Sequence, residues 1–345
     1  MAPVGDLTRF LFGFLFGLAT RRDDARALLT DGRVLEALRM ILAFSGGAMH
    51  IRLISMLVLS CLAVAAQTPN QAQVQEFAPG IVSTGRGFTV TFAPDGKDVY
   101  FTSAAPTTSS GSRTFLHIYR SHFNAGQWQP AEAVAFSSDH WSDLDPFVTI
   151  DGKRMFFVST RPAPGKDPSK RDMDIWFSEK SGDTWGEPHY VAEVNSTAKE
   201  GSPSLDRHNN LYFFSDRNRD PNHNSIYVSR CRDGHFAAPE KLPPPINSTA
   251  SDTSPWIAPN GRTLLYYSDR PGGSGKADLY ASFLAHGKWS QPVNLGSTVN
   301  SSDSDYNPEV SRDGRTLFFG RDGRIYFVPL TALHASGLKA SRFTG

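Results

Sequence analysis

Ser254-Pro255-Trp256-Ile257, followed by Asn260-Gly261 and then Leu264-Leu265-Tyr266-Tyr267-Ser268-Asp269-Arg270, is the phrase on which the fold turns. It reads as a Pro-led strand, a tight polar turn and an aromatic strand ending in Ser. Four further copies of the turn and aromatic strand follow the same order. They are Asp95-Gly96 with Val99-Tyr100-Phe101-Thr102, Asp151-Gly152 with Met155-Phe156-Phe157-Val158-Ser159, His208-Asn209 with Leu211-Tyr212-Phe213-Phe214-Ser215, and Asp313-Gly314 with Leu317-Phe318-Phe319-Gly320. The first turn residues, Asp95, Asp151, His208, Asn260 and Asp313, stand 52 to 57 apart. A period near 50 made of short strands, with no helical pattern, predicts an all-β chain folded as a β-propeller.

Each unit parses into four strands, a to d. Strand a is expected to open at Pro146, Pro203, Pro255 or Pro308, because a Pro in first place costs no ladder hydrogen bond. The Asp-Gly or Asn-Gly pair fits a type I′ turn, whose two central residues both need φ > 0. Strand b is the aromatic run. Strand c follows a longer loop (Asp278-Leu279-Tyr280-Ala281 is one copy), and strand d follows a Gly turn and carries Pro130, Pro188 or Pro292. The fifth unit stops after its c strand. Phe77–Thr84 resembles the missing d strand, so an N-terminal segment is expected to close the last blade as its outer strand. The count gives five four-stranded blades, or six if a degenerate blade hides in the first unit.

Hydrophobic residues make up 39% of the 345-residue chain and mean hydropathy is -0.33, which suits a soluble body. A net charge of +1 lacks the basic excess of a nucleic-acid binder. His50-Ile51-Arg52, the apolar run Leu53–Ala66 and polar Gln67 have the order of a signal peptide starting at Met49. Residues 1–48 then read as an extension ahead of a mis-assigned start, 49–66 as signal peptide, 67–76 as linker, 77–330 as propeller and 331–345 as a C-terminal tail. Phe10–Ala19 is a competing leader. Val58-Leu59-Ser60-Cys61 is a partial lipobox, which leaves lipid anchoring through Cys61 beside cleavage near Ala65 or Ala66. The reading is a periplasmic or secreted protein, monomeric, with no membrane span in the processed chain.

Ser254-Pro255, Asn260-Gly261, Ser268-Asp269-Arg270-Pro271-Gly272-Gly273 and Asp278-Leu279-Tyr280 resemble the WD40-like (PD40) β-propeller repeat, of the kind found in the TolB propeller. The resemblance covers about residues 77–330. It implies an exported bacterial protein and an interaction platform; members also occur as propeller halves attached to peptidases. It does not imply TolB itself, whose preceding α/β domain has no room between Ala66 and Phe77.

Strand order puts the d–a and b–c loops on one side of the disc. The d–a loops carry Trp141, Asp143, Asp145, Glu200, Asp252, Asp303, Asp305 and Tyr306; the b–c loops carry Arg161, Asp216, Arg217, Asp269, Arg270 and Arg321. Acids before each a strand and arginines after each b strand suit repeated blade-to-blade ion pairs. They also suit a Ca²⁺ site at the channel mouth, with no other cofactor expected, or an anion held by the arginines. Trp141, Trp256 and Tyr306 break the repeat and so are candidates for specificity. No catalytic residue is assigned. The preferred function is a non-catalytic platform for an envelope protein or saccharide. The alternative is a glycosidase-like hydrolase, which needs two carboxylates about 5–9 Å apart, and no pair is marked out. Asn195-Ser196-Thr197, Asn247-Ser248-Thr249 and Asn300-Ser301-Ser302 have sequon form but are read as loop-turn residues.

Overall fold

The computed structural model describes residues 73–105, 114–165, 167, 171–217, 223–336 and 343. The start-site, signal-peptide and Cys61 readings lie outside the described residues. The hairpins that dominate the sequence join strands a and b by a four-residue loop. Ala93 N–H bonds Asp98 O and Gly96 N–H bonds Ala93 O, each at 2.9 Å, and the same pattern recurs at Thr149, Ala258 and Ser311. Only the glycine of each pair, Gly96, Gly152, Gly261 or Gly314, has positive φ. The a–b turns are therefore not type I′, as the dipeptides suggested, because the Asp or Asn does other work. Its side chain accepts the N–H two residues on, as in Asp95 to Lys97 (3.0 Å) and Asn260 to Arg262 (2.8 Å). Two-residue loops with both residues left-handed occur elsewhere: Ala125-Gly126, Asp233-Gly234 and His286-Gly287 between c and d, and Asp322-Gly323 between b and c of the last blade.

The a strands also begin earlier than the prolines. They are Gly87–Phe92, Asp143–Val148, Glu200–Leu205, Asp252–Ile257 and Tyr306–Val310. Pro146, Pro203, Pro255 and Pro308 sit inside them, at a β-bulge where pairing with strand b shifts register. A bulge frees an N–H from the ladder, so it tolerates Pro without loss, and it re-aims a side chain. The residue before each of these prolines, Asp145, Ser202, Ser254 or Asn307, has φ near +50° (47° to 51°).

Strands b and c complete the sheets: Asp98–Ala104 with Leu116–Asn124, Arg154–Ser159 with Asp174–Ser181, Leu211–Ser215 with Ser225–Ser229, Thr263–Ser268 with Asp278–Ala285, and Thr316–Arg321 with Arg324–Pro329. In blades 1, 2 and 4 the outer strand is two short pieces interrupted at Pro130, Pro188 or Pro292. The last blade takes its outer strand from the N-terminal side. Gln75 and Glu76 pair with Phe327 and Tyr326, and Phe77 N–H bonds Ile325 O at 2.8 Å. The closing strand is thus Gln75–Glu76, and Phe77–Thr84, expected as strand, turns sharply beneath it with Val82 N–H on Ala78 O.

Five buried apolar clusters lie between successive blades. The cluster between blades 5 and 1 (Val90, Phe92, Val99, Phe318 and Ile325) completes the ring, so there are five blades, not six. Within the segment read as tail, the 3₁₀ helix Leu330–Ser336 buries Leu333, and Phe343 is buried against the same core as Leu265 and Leu317.

Candidate functional site

On the d–a/b–c face Arg217, Arg270 and Arg321 belong to a repeated clamp. In blade 3, Arg217 Nη2 donates to Glu200 Oε1 (3.0 Å) and to Val194 O (2.6 Å), and Nε donates to Ser215 Oγ (3.1 Å). Its guanidinium lies 5.3 Å from the Phe213 ring and 5.0 Å from the Tyr227 ring. The other carboxylate oxygen of Glu200 accepts Ser196 N–H at 3.0 Å. Blade 4 repeats this with Arg270, Asp252, Ile246 O and Ser248; in blade 5 Arg321 donates Nε to Asp305 and Nη2 to Val299 O, and Ser301 N–H reaches the other carboxylate oxygen. The ion pairs run within a blade, whereas the sequence suggested that they run between blades. Strand a starts where the antiparallel strand b ends at this edge, which puts the acid next to its own blade's arginine.

The link between blades comes from the sequon-form asparagines. Asn195, Asn247 and Asn300 accept the N–H of Ile175, Ile226 and Leu279 at 2.7 to 2.9 Å and donate Nδ2 to the carbonyl of the same residue. Each ties its loop to the c strand of the preceding blade. Asn247 and Asn300 are buried, and the committed amides leave no room for a glycan. This role escaped the sequence reading, although the recurrence of Asn-Ser five residues before an acid was its signal.

Blades 1 and 2 depart from the pattern. In blade 1, Gly87 stands opposite Ser103, where blades 2, 3 and 4 have an acid opposite Ser. In blade 2, Arg161 Nη2 holds Asp143 Oδ1 at 2.8 Å and Nε donates to Ser159. No serine N–H reaches the second oxygen of Asp143. Asp143 Oδ2 and His117 Nε2 are both buried without a hydrogen-bond partner. Burial pushes Asp143 upward, opposed by Arg161.

The remaining candidates separate. Asp216 and Asp269 accept the N–H of Lys199 and Ser251, each at 2.8 Å, and pin d–a loops. Asp303 is half exposed, 3.6 Å from Lys276 Nζ. Tyr306 OH accepts Gly323 N–H at 3.0 Å. Trp256 lines the central channel and is only 5% exposed, so it is no part of the outer face. Trp141 is half-buried beside exposed His140, with ring centroids 5.6 Å apart. Asp145 lies in the channel. Among the described residues no three His, Cys, Asp or Glu side chains converge as metal ligands.

Deeper in the channel, Arg312 crosses from blade 5 and donates Nη2 to Phe92 O and to Val148 O, both at 2.6 Å, stapling blades 1, 2 and 5. Beside it Glu309 is buried, and desolvation pushes its pKa up to about 8 against the opposing pull of Arg312. Burial pushes Arg312 downward as well, so desolvation outweighs the attraction for both partners. Burial thus favours the protonated form of Glu309, and the carbonyls of Phe92 and Val148 hold the guanidinium. A raised carboxyl pKa means that the native state holds more protons than the unfolded state. Stability is expected to fall as pH rises from about 4.5 towards about 8, by at most about 1.4 kcal/mol per pH unit for one group. Urea denaturation across that range, with Glu309→Gln alongside, should show the slope in the wild type and a flatter one in the variant.

No family model matches the chain, and no curated protein matches it. Solved structures it is similar to include a putative TolB from Agrobacterium tumefaciens, at 15% identity, TM-score 0.47, and covering 71% of this chain and 78% of that one. TolB from Acinetobacter baumannii gives 15% identity and TM-score 0.42 over 70% of this chain; the chain spans about half of that protein (53%). A gluconolactonase from Xanthomonas campestris gives 12% identity and TM-score 0.43, covering 77% and 92%. The likeness is one of fold. The chain's own strand pairing establishes a five-bladed propeller.

Proposed function

We propose that this chain is an exported, non-catalytic propeller that presents its d–a/b–c face to a protein or saccharide partner in the bacterial envelope. The observation that carries this reading is the state of the repeated acids. Glu200, Asp252 and Asp305 each have both carboxylate oxygens occupied, one by an arginine and the other by a serine N–H. Carboxylates held this way stiffen a frame; none is free to act as acid, base or nucleophile. What varies on that frame is the loop into blade 2, with half-buried Trp141, exposed His140 and exposed Asp139. Aromatic residues with a polar surround are what interfaces enrich. Among the described residues no helix is long and apolar enough to cross a membrane, and the signal-peptide pattern at 49–66 supports export.

The test is capture of envelope proteins on the chain from Gln67 to Gly345, with a cell-wall glycan array in parallel. Trp141→Ala/Asp139→Ala is expected to lose the partner while keeping wild-type circular dichroism. Retention by the variant would move the binding face elsewhere, and hydrolysis of an arrayed glycan would replace the platform with an enzyme.

A further inference from the structure

Each a strand sends one short polar side chain to the same level of the central channel: Thr89, Asp145, Ser202, Ser254 and Asn307. Four of these precede a bulge proline and are aimed inward by a left-handed backbone. Their protons all point towards Asp145. Asn307 Nδ2 donates to Thr89 Oγ1 (2.8 Å), which donates to Asp145 Oδ1 (2.7 Å). On the other side Ser202 Oγ donates to Asp145 Oδ2 (2.8 Å), which leaves Ser254 Oγ to donate to Ser202 Oγ (3.0 Å). Both arms end on Asp145; burial pushes its pKa upward, and the hydrogen bonds from Thr89 and Ser202 oppose that push by favouring the ionised form.

That carboxylate is 5% exposed and has no Lys, Arg or His partner among the described residues. Arg312, the channel's guanidinium, is committed to the carbonyls of Phe92 and Val148. A buried charge with no counter-charge is costly. At this level the channel encloses about 30 Å³, room for a single ion or water.

We propose that the ring binds one singly charged cation, with sodium as the reference ion, on the oxygens of Asp145, Thr89, Ser202, Ser254 and the Asn307 amide. Oxygen-only donors select a hard cation over a transition metal. One buried carboxylate is neutralised by one positive charge, whereas a divalent ion leaves net charge in the channel. The site stands independently of the platform reading, since the ring belongs to the channel and not to the outer face.

The test uses the chain from Gln67 to Gly345 in chloride salts of matched ionic strength. Wild-type protein is expected to melt about 2–4 °C higher in sodium than in tetramethylammonium, which is too large for the site. It should also broaden the ²³Na resonance. Asp145→Asn should abolish both effects. Ser254→Ala, which leaves the two hydroxyl donors to Asp145 in place, should weaken them. Ammonium or potassium matching sodium supports the same singly charged site and ranks its ions. Three results overturn the proposal: a wild-type midpoint independent of the cation, an Asp145→Asn response equal to wild type, or a larger shift with calcium than with sodium.

Discussion

A chain started at Pro79, without Gln75, Glu76 and Phe77, is expected to leave blade 5 with an open edge and to aggregate instead of folding cleanly. The three residues supply its outer strand: two register pairs, the Phe77 N–H to Ile325 O bond and the Glu76–Arg324 ion pair at 2.8 Å. Without them strand Arg324–Pro329 presents unpaired backbone along one side, a template for edge-to-edge association. The side-chain loss compounds this. The Phe77 ring sits at 4.9 to 6.1 Å from those of Phe92, Trp128, Phe318 and Phe327, so it ties blade 5 to blade 1. Phe77→Ala alone should cost about 2–3 kcal/mol, somewhat under the range for a fully buried Phe because Phe77 is half-buried. Light scattering and urea denaturation separate the two effects. A truncated chain that stays monomeric with an unchanged midpoint would show that closure is dispensable.

Arg270→Ala is expected to destabilise the protein by about 3–5 kcal/mol, because it leaves Asp252 buried with its counter-charge gone. The same change releases Ile246 O and uncovers the rings of Tyr266 and Tyr280, which lie 5.4 and 5.0 Å from the guanidinium. Replacing both charges, as Asp252→Leu/Arg270→Met, should restore much of the loss, since a buried pair exchanged for apolar groups of like volume is close to neutral. Asp303→Ala serves as the contrast. Its pair with Lys276 is half exposed and should be worth under about 1 kcal/mol. Urea midpoints of the four proteins decide the matter. A loss at Arg270 as small as that at Asp303 would mean that the clamp is decorative.

The sequence made the fold legible because a propeller is periodic. Five copies of one phrase require five equivalent environments, and each blade buries its faces only against its neighbours. The acids and arginines were legible as a set for the same reason. Their pairing within blades was not, because it depends on strand a starting at the edge where strand b ends. The turn type was misread because an Asp-Gly dipeptide fits two hairpin geometries, and the Asp side chain chooses by accepting the N–H two residues on, as Asp95 does from Lys97. Asp145 was placed among the loop acids because a bulge cannot be seen in a linear pattern. One extra residue beside Pro146 turns Asp145 into the channel, 57 residues from Ser202 and 56 from Thr89 in sequence.

By itself, then, the sequence determined the propeller architecture and its closure by an N-terminal segment, both consequences of local period and of one missing strand, while five blades rather than six followed from the closed ring. Only the tertiary structure decided which polar groups meet. The clamps join residues across a blade, and the channel ring joins one residue from each of five blades. Such encounters are set by the closing of the ring, which no local run of residues encodes.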